Sequence, residues 1–373
     1  MERQVIFRVD ASLQIGSGHV MRCLTLASAM KANGASCHFI CRAHSGNLIR
    51  FIREKGFSVS SLALTDSQPD SGLSTKDTGP AHTNWLGCSW QTDAEQTKQV
   101  LADKKYAWLI VDHYSLDSSW ESALTDSFQH IMVIDDLADR PHFCDLLLDQ
   151  NLGREATDYK SLVPEKCQLL IGPYFALLRP EFSDLREYSL CRRKHSRFKE
   201  VLVTMGGVDQ SNATAKVLHV LKTCPLPDDC NIKIVMGSNA PWLQNINEIA
   251  VQMPWHTEVL VNISDMAQRM ANSDLCIGAA GSTSWERCCL GLPALMLVLA
   301  KNQSSIAKAL DLACAAKTIT CGEQDNFEFQ INKFFSDIAE EPHILSSMTI
   351  AAAEVTKGTG TFEVIEKIGA IGL

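Results

Sequence analysis

The sequence has 14 cysteines but no CxxC pair, and they are scattered along 373 residues. Scattering of this kind in a long chain argues against a disulfide framework, which belongs to short secreted domains. No zinc spacing, HExxH motif or nucleophile-elbow serine occurs either. Long hydrophobic runs are also missing: the longest, LGLPALMLVLA near residues 290 to 300, is far too short to span a bilayer. No apolar export segment precedes RQVIFRVD, so a reducing cytoplasm is the expected compartment. Positive charge is in deficit. A net charge of −9 leaves no broad basic field, which excludes nonspecific nucleic-acid binding and requires that any phosphate be held locally. The one basic cluster, Arg192, Arg193 and Lys194, reads as solvated linker.

What is present is an ordinary globular composition, 46% hydrophobic and 21% charged, at a length that suggests two domains. The runs VIFRV, SCHFICR, FSVSSLAL, AWLIVDHY and HIMVIDD alternate with helical patterns, which predicts a parallel sheet with helices on its faces. Thr65 to Pro80, rich in Ser, Asp, Gly and Thr, reads as a polar surface insertion. Around residues 177 to 199 the apolar strands stop and charge accumulates, placing a linker at 179–198. The pattern restarts with EVLVTMGG, NIKIVMG, TEVLVN, LCIGAAG and PALMLVLA. The expected fold is therefore α/β, with two Rossmann-like domains at 1–178 and 199–373. They are expected to face a central cleft, with the ligand between the carboxyl ends of their strands. Residues 321–373 carry no comparable signal.

QIGSGHVMRC (14–23) lies between the first strand and the first helix. Gly16-Ser17-Gly18 begins a dinucleotide fingerprint, but Met21 occupies the third glycine position and Arg42, not an acid, ends the second strand. A nicotinamide cofactor is thereby disfavoured. His19 falls in the first turn of the helix, where the dipole favours a neutral imidazole suited to accept a proton; a capping or core histidine is the alternative. TMGGVDQSNAT (204–214), with Gly206 and Gly207, and GAAGSTSWERCCLG (278–291) are strand-to-helix glycine loops. Two such loops point to a diphosphate at helix N-termini, although each alone can serve only a tight turn. Thr283 and Glu286 have capping-box spacing, and spacing alone favours the cap over a Glu286 carboxylate that binds ribose hydroxyls. Asp112, His113 and Tyr114 stand at a strand's carboxyl end. Asp135, Asp136 and Asp139 read as turn formers rather than a metal cluster, since no Asp-x-Asp occurs.

Taken in order, FRVDASLQIGSGHVMRCLTLA, VDHY, VIDDLADRPHFCDLLLDQN, GPYFALLRPEF, VTMGGVDQSNAT and GAAGSTSWERCCLGLPALMLVLAKNQ closely resemble one family. It is the UDP-2,4-diacetamido-2,4,6-trideoxy-β-L-altropyranose hydrolase family of pseudaminic acid biosynthesis, a MurG-like branch of the GT-B superfamily. The resemblance covers about residues 3 to 320. It implies that water displaces UDP from the anomeric carbon by C–O cleavage with inversion, without metal or cofactor. The histidine after the glycine pair, here His19, is then the base, and Tyr114 matches the active-site tyrosine. In the first domain the implied substrate-binding residues are Asp10, Gly16, Gly18 and Arg22, with Arg179 near the cleft. In the second they are Gly206, Gly207, Ser282, Thr283 and Glu286, now favoured as the ribose ligand. Ile263 matches a position whose backbone reads uracil, and Asn302 and Gln303 point at the sugar or diphosphate. Trp285 departs from relatives that carry asparagine there, which puts that substrate contact in doubt. The expected partner is a UDP-sugar, bound by a monomer that engages neither nucleic acid nor membrane. The alternatives are a GT-B glycosyltransferase that passes the sugar to an alcohol, and a noncatalytic sugar-nucleotide sensor.

Overall fold

A computed structural model describes residues 3–64, 82–102, 104–195, 197–238, 240–320 and 326–372. The polar stretch 65–80, read above as an insertion, lies outside the described residues. The chain divides into two compact units, Met1–Leu177 with Gly360–Leu373, and Leu178–Thr359.

The first unit runs β1 (Gln4–Val9), α1 (Gly18–Ala32), β2 (Ser36–Arg42), α2 (Ile49–Glu54), β3 (Ser58–Leu62), α3 (Trp90–Leu101) and β4 (Tyr106–Asp112). It continues with α4 (Ser118–Ala123), β5 (Phe128–Ile134), β6 (Leu146–Asp149) and β7 (Gln168–Ile171). Its seven strands are parallel, in the order β3-β2-β1-β4-β5-β6-β7. Sheets covered on both faces need nearly continuous apolar strands, and VIFRV and WLIV supply them. Phe7 lies in register with Phe39 and Ile110, and the Phe7 and Phe39 rings stack at 4.8 Å. From β1 the sheet grows through β2 and β3 to one side, then restarts at β4 on the other. The carboxyl ends of β1 and β4 thus flank a topological switch point, the place where open α/β sheets bind ligands.

The second unit begins with α5 (Pro180–Arg193), then β8 (Glu200–Thr204), α6 (Ala213–Leu221), β9 (Asn231–Met236), α7 (Leu243–Val251), β10 (His256–Val261) and α8 (Met266–Asn272). It closes with β11 (Leu275–Ala279), α9 (Thr283–Cys289), β12 (Ala294–Val298), α10 (Ser304–Leu312), β13 (Ala316–Thr320), α11 (Phe327–Glu340) and α12 (His343–Val355). Six parallel strands take the order β10-β9-β8-β11-β12-β13, so this sheet has its own switch point between β8 and β11. The two glycine loops read from the sequence follow those two strands.

Two boundaries differ from expectation. Residues 180–193 are not a linker but α5, which belongs to the second unit. Its polar surface buries little beyond Phe182 and Ser189. Arginines fasten it instead: Arg186 donates to the carbonyls of Cys289, Thr356 and Ala353, and Arg193 to those of Leu290, Ser273 and Met270. The second difference is α13 (Gly360–Gly372), which returns to the first unit. Its Val364 and Ile368 are fully buried with Val20, Cys23 and Leu24 of α1. Ile368→Ala is therefore expected to destabilise the protein by about 2–5 kcal/mol, read as a lower urea midpoint; no shift would show that α13 does not complete this core. Among the described residues no helix is long and apolar enough to cross a membrane.

Candidate active site

In the first unit the switch point gathers charge around His19. Ser12 to Gly16 forms a tight loop, the Gly16 amide donating to the Ser12 carbonyl at 2.9 Å. Gly16 holds a φ of 81°, a left-handed backbone that favours glycine. Gly18 opens α1 and brings His19 round to the end of β4. There His19 Nδ1 lies 2.5 Å from Asp112 Oδ1. Arg22, one turn along α1, forks onto the same carboxylate, Nε and Nη2 each donating at 2.7 Å. Burial alone would raise the Asp112 pKa, but Arg22 and His19 outweigh it and hold the carboxyl far below its ordinary range. An ionised Asp112 takes the hydrogen on Nδ1, which leaves Nε2 as the basic nitrogen of His19.

Arg22 also pairs with Asp136 at 2.7 Å, and that carboxylate accepts the Tyr114 hydroxyl at 2.9 Å. Burial first, and Asp136 second, push the Tyr114 phenol well above its usual pKa, so it stays protonated. Its ring meets the His19 imidazole edge-on at 4.6 Å. His19 and Arg22 on α1 and Tyr114 after β4 are thus one constellation, with Asp112 and Asp136 at its centre. The strand-end motif VDHY was a usable signal for Asp112. Nothing in VIDD announced that Asp136 would orient a tyrosine.

Asp10 is placed differently from the expected ligand contact. It is fully buried, pairs with Arg8 at 2.7 Å and accepts the Arg42 amide at 2.6 Å. Its role is to brace the sheet. Asp135 accepts Tyr159 at 2.8 Å and the Ala138 amide at 2.8 Å, and pairs with Arg140 at 2.8 Å. Arginines and hydroxyls therefore occupy the aspartates of VIDD. Among the described residues no group of three or more His, Cys, Asp or Glu is arranged to hold a metal ion.

The second unit has its own candidate residues at its switch point. In the loop after β8, Gly206 has a φ of 89°, and a β-carbon at Gly206 or Gly207 would point into open space, while the Gly207 backbone packs closely on Gly237. Asp209, however, accepts the first amides of α6, from Ala213 at 2.8 Å and Thr214 at 2.9 Å. A carboxylate has taken the place expected for phosphate at that helix, leaving only the Gly206–Gly207 backbone for a ligand. In the loop after β11, Ser282 is the N-cap of α9 and makes no side-chain capping bond. With the cap one residue earlier than the Thr283–Glu286 spacing suggests, Glu286 is no capping-box partner. Burial raises its pKa, while Arg179, whose Nη2 stands 3.5 Å away, opposes the rise. Arg179 also pairs with Glu181 at 2.8 Å.

Ile263 follows the left-handed Asn262 beyond the end of β10. Asn302 is exposed in a 3₁₀ turn, whereas Gln303 spends its side-chain oxygen on the Leu299 amide at 3.0 Å. Trp285 is 1% exposed and packs in the core.

Residues 200–361 match the Glycosyltransferase family 28 C-terminal domain. The chain is 26% identical to the UDP-2,4-diacetamido-2,4,6-trideoxy-beta-L-altropyranose hydrolase of Campylobacter jejuni, over 82% of this chain and 94% of that protein. It is 30% identical to the spore coat polysaccharide biosynthesis protein SpsG of Bacillus subtilis, over 44% of this chain and only 48% of that one. In three dimensions it is similar to MurG of Acinetobacter baumannii, with a TM-score of 0.69 at 16% identity over 99% of both chains. The chain has the GT-B fold and is similar in sequence to that hydrolase. The family 28 match in this GT-B protein spans the β8 and β11 loops, so Gly206, Gly207, Ser282, Thr283 and Glu286 all fall within it. The His19 constellation lies outside that match, in the first unit.

Proposed function

We propose that this GT-B protein hydrolyses UDP-2,4-diacetamido-2,4,6-trideoxy-β-L-altropyranose to UDP and the free sugar, a step of pseudaminic acid biosynthesis. The observation that carries the reading is the 2.5 Å contact between His19 Nδ1 and Asp112, which directs a basic Nε2 away from the carboxylate. Water attacks the anomeric carbon as its proton passes to Nε2. The new C1–O bond forms as the old one to the β-phosphate breaks, and its electron pair departs with UDP. Attack opposite the leaving group inverts C1. Asp112 stabilises the imidazolium that forms, and Arg22 keeps Asp112 ionised and fixed. Tyr114, protonated and oriented by Asp136, lies against the base and shapes the sugar's approach.

In the second unit the Gly206–Gly207 backbone, Ser282 and Thr283 take the diphosphate, Glu286 the ribose hydroxyls, and the Ile263 backbone the uracil. Arg179, beside Glu286, lends it positive charge. UDP leaves readily, so no metal is assigned a role.

The family 28 match favours one competing reading, sugar transfer to an alcohol, which would use the same UDP contacts. Purified protein incubated with the UDP-sugar alone in ¹⁸O-water separates the two. The expected result is UDP release that survives EDTA, with label at the C1 hydroxyl and the inverted anomer formed first. An absolute requirement for an acceptor would sink hydrolysis.

A further inference from the structure

His82 and Trp85 have no part in the chemistry above, yet they stand beside it. Trp85 lies in a single 3₁₀ turn, Thr83–Leu86, and His82 is the N-cap residue just before it. The turn is held at both ends: the His82 carbonyl accepts the Ser115 hydroxyl next to Tyr114, and Leu86 is buried among Leu62, Val111 and Trp120. The Trp85 indole lies nearly parallel to the Tyr114 ring, 24° apart at 5.6 Å. The His82 imidazole sits 4.3 Å from Trp85 and 5.3 Å from Tyr114. With His19 edge-on to Tyr114 at 4.6 Å, the four rings form one contiguous aromatic cluster that reaches the proposed base.

Burial separates anchor from surface. Leu86 and Tyr114 are buried, while His82 and Trp85 are only half-buried. A turn needed solely for packing has its anchor in Leu86. The two rings left partly open, next to a buried His–Asp pair, are placed to meet a ligand. Burial, aided by Arg140 and His19, outweighs the opposing Asp139 and disfavours the protonated form of His82, which favours a neutral ring able to stack and to hydrogen-bond.

We propose that His82 and Trp85 form the sugar subsite of the first unit, a wall against which the methyl and acetamido groups of the substrate pack while His19 acts at C1. This rests on the function proposed above and specifies how that substrate is selected. A 2,4-diacetamido-2,4,6-trideoxy sugar has exchanged three hydroxyls for a methyl and two amides. It is unusually apolar for a hexose, and aromatic faces reward such a surface. Stacking also keeps bulk water from C1, apart from the molecule that reacts.

The test compares affinities for the UDP-sugar and for UDP alone by calorimetry, in a His19→Asn protein that holds substrate unreacted. Trp85→Ala is expected to weaken the UDP-sugar roughly tenfold and to leave UDP within about twofold, with Trp85→Phe recovering most of the loss. Equal weakening of both ligands, or none of either, is what a ring that merely covers Tyr114 would give, and it overturns the subsite. So does a parent protein that binds the UDP-sugar no more tightly than UDP. If Trp85→Ala loses its cooperative melting transition, His82→Gln carries the same comparison, with selective weakening of the UDP-sugar again expected. Selective binding by wild-type protein without turnover would instead sink the hydrolase reading and leave the subsite standing.

Discussion

Alanine in place of His19 is expected to lower kcat by roughly two to four orders of magnitude, the usual contribution of a positioned general base. UDP affinity is expected to stay within about twofold, because the proposed nucleotide contacts all lie in the second unit. The separation of effects is the informative part: a group acting only on bound substrate changes turnover, and one needed for folding changes everything. Asp112→Asn should approach the same loss. Its amide no longer fixes the hydrogen on Nδ1, and the two-pronged Arg22 grip on the carboxylate, at 2.7 Å on each oxygen, is broken. Steady-state kinetics of both variants, alongside UDP titrations, check this. Near-normal turnover by the alanine variant would remove His19 from the mechanism.

The largest effect on stability is expected at Asp93, which has no part in the proposed chemistry. Its carboxylate accepts Arg8 twice, at 3.1 and 2.7 Å, Arg42 at 2.6 Å and the Trp120 indole at 3.0 Å. Arg8, Arg42, Asp93 and Trp120 are all fully buried. Asp93→Ala would leave two buried guanidinium groups with only Asp10, Gln96 and the Ala63 carbonyl as partners. Breaking such a network from one side costs about 3–5 kcal/mol. Urea denaturation at neutral pH measures it, and a change below about 1 kcal/mol would contradict the network's importance. Acid provides a second check. Burial would raise the Asp93 and Asp10 pKa values, but Arg8 at both, with Arg42 at Asp93 and His113 and His44 at Asp10, outweighs it and holds both lowered in the folded protein. The unfolded chain therefore binds protons more readily. The stabilisation is complete above the ordinary aspartate range near about pH 4, and is lost as pH falls through the depressed folded values. The alanine variant should show a shallower acid loss than wild type.

Apolar pattern made the sheets readable. VIFRV and WLIV are central strands because both their faces are buried, and the glycine loops fell where strand ends had to meet helices. The misread elements were held by forces that leave no apolar period. α5 looks like a charged linker because arginine-to-carbonyl bonds, not a hydrophobic stripe, hold it in place. α13 is apolar enough to be helical, but sequence order cannot say that it packs on a helix more than 300 positions earlier. The site divided the same way. His19 was marked by its glycine pair, whereas its orienting carboxylate is 93 residues away and visible only once β1 and β4 lie side by side. Asp10 and Asp209 show the converse: polar residues in promising loops that fold into salt bridges and caps. Glu286 escaped the cap that its spacing advertised because the helix begins at Ser282.

The return of α13 gives the two units different histories on the ribosome. Residues 178–359 are one uninterrupted stretch, able to close on themselves as soon as they have been synthesised. The first unit is started before them and finished after them. Until Val364 and Ile368 arrive, the flank of α1 formed by Val20, Cys23 and Leu24 lacks its cover, and His19 on that helix rests on an unfinished core. A helix made after the whole second unit thus seals the support of the helix that carries His19.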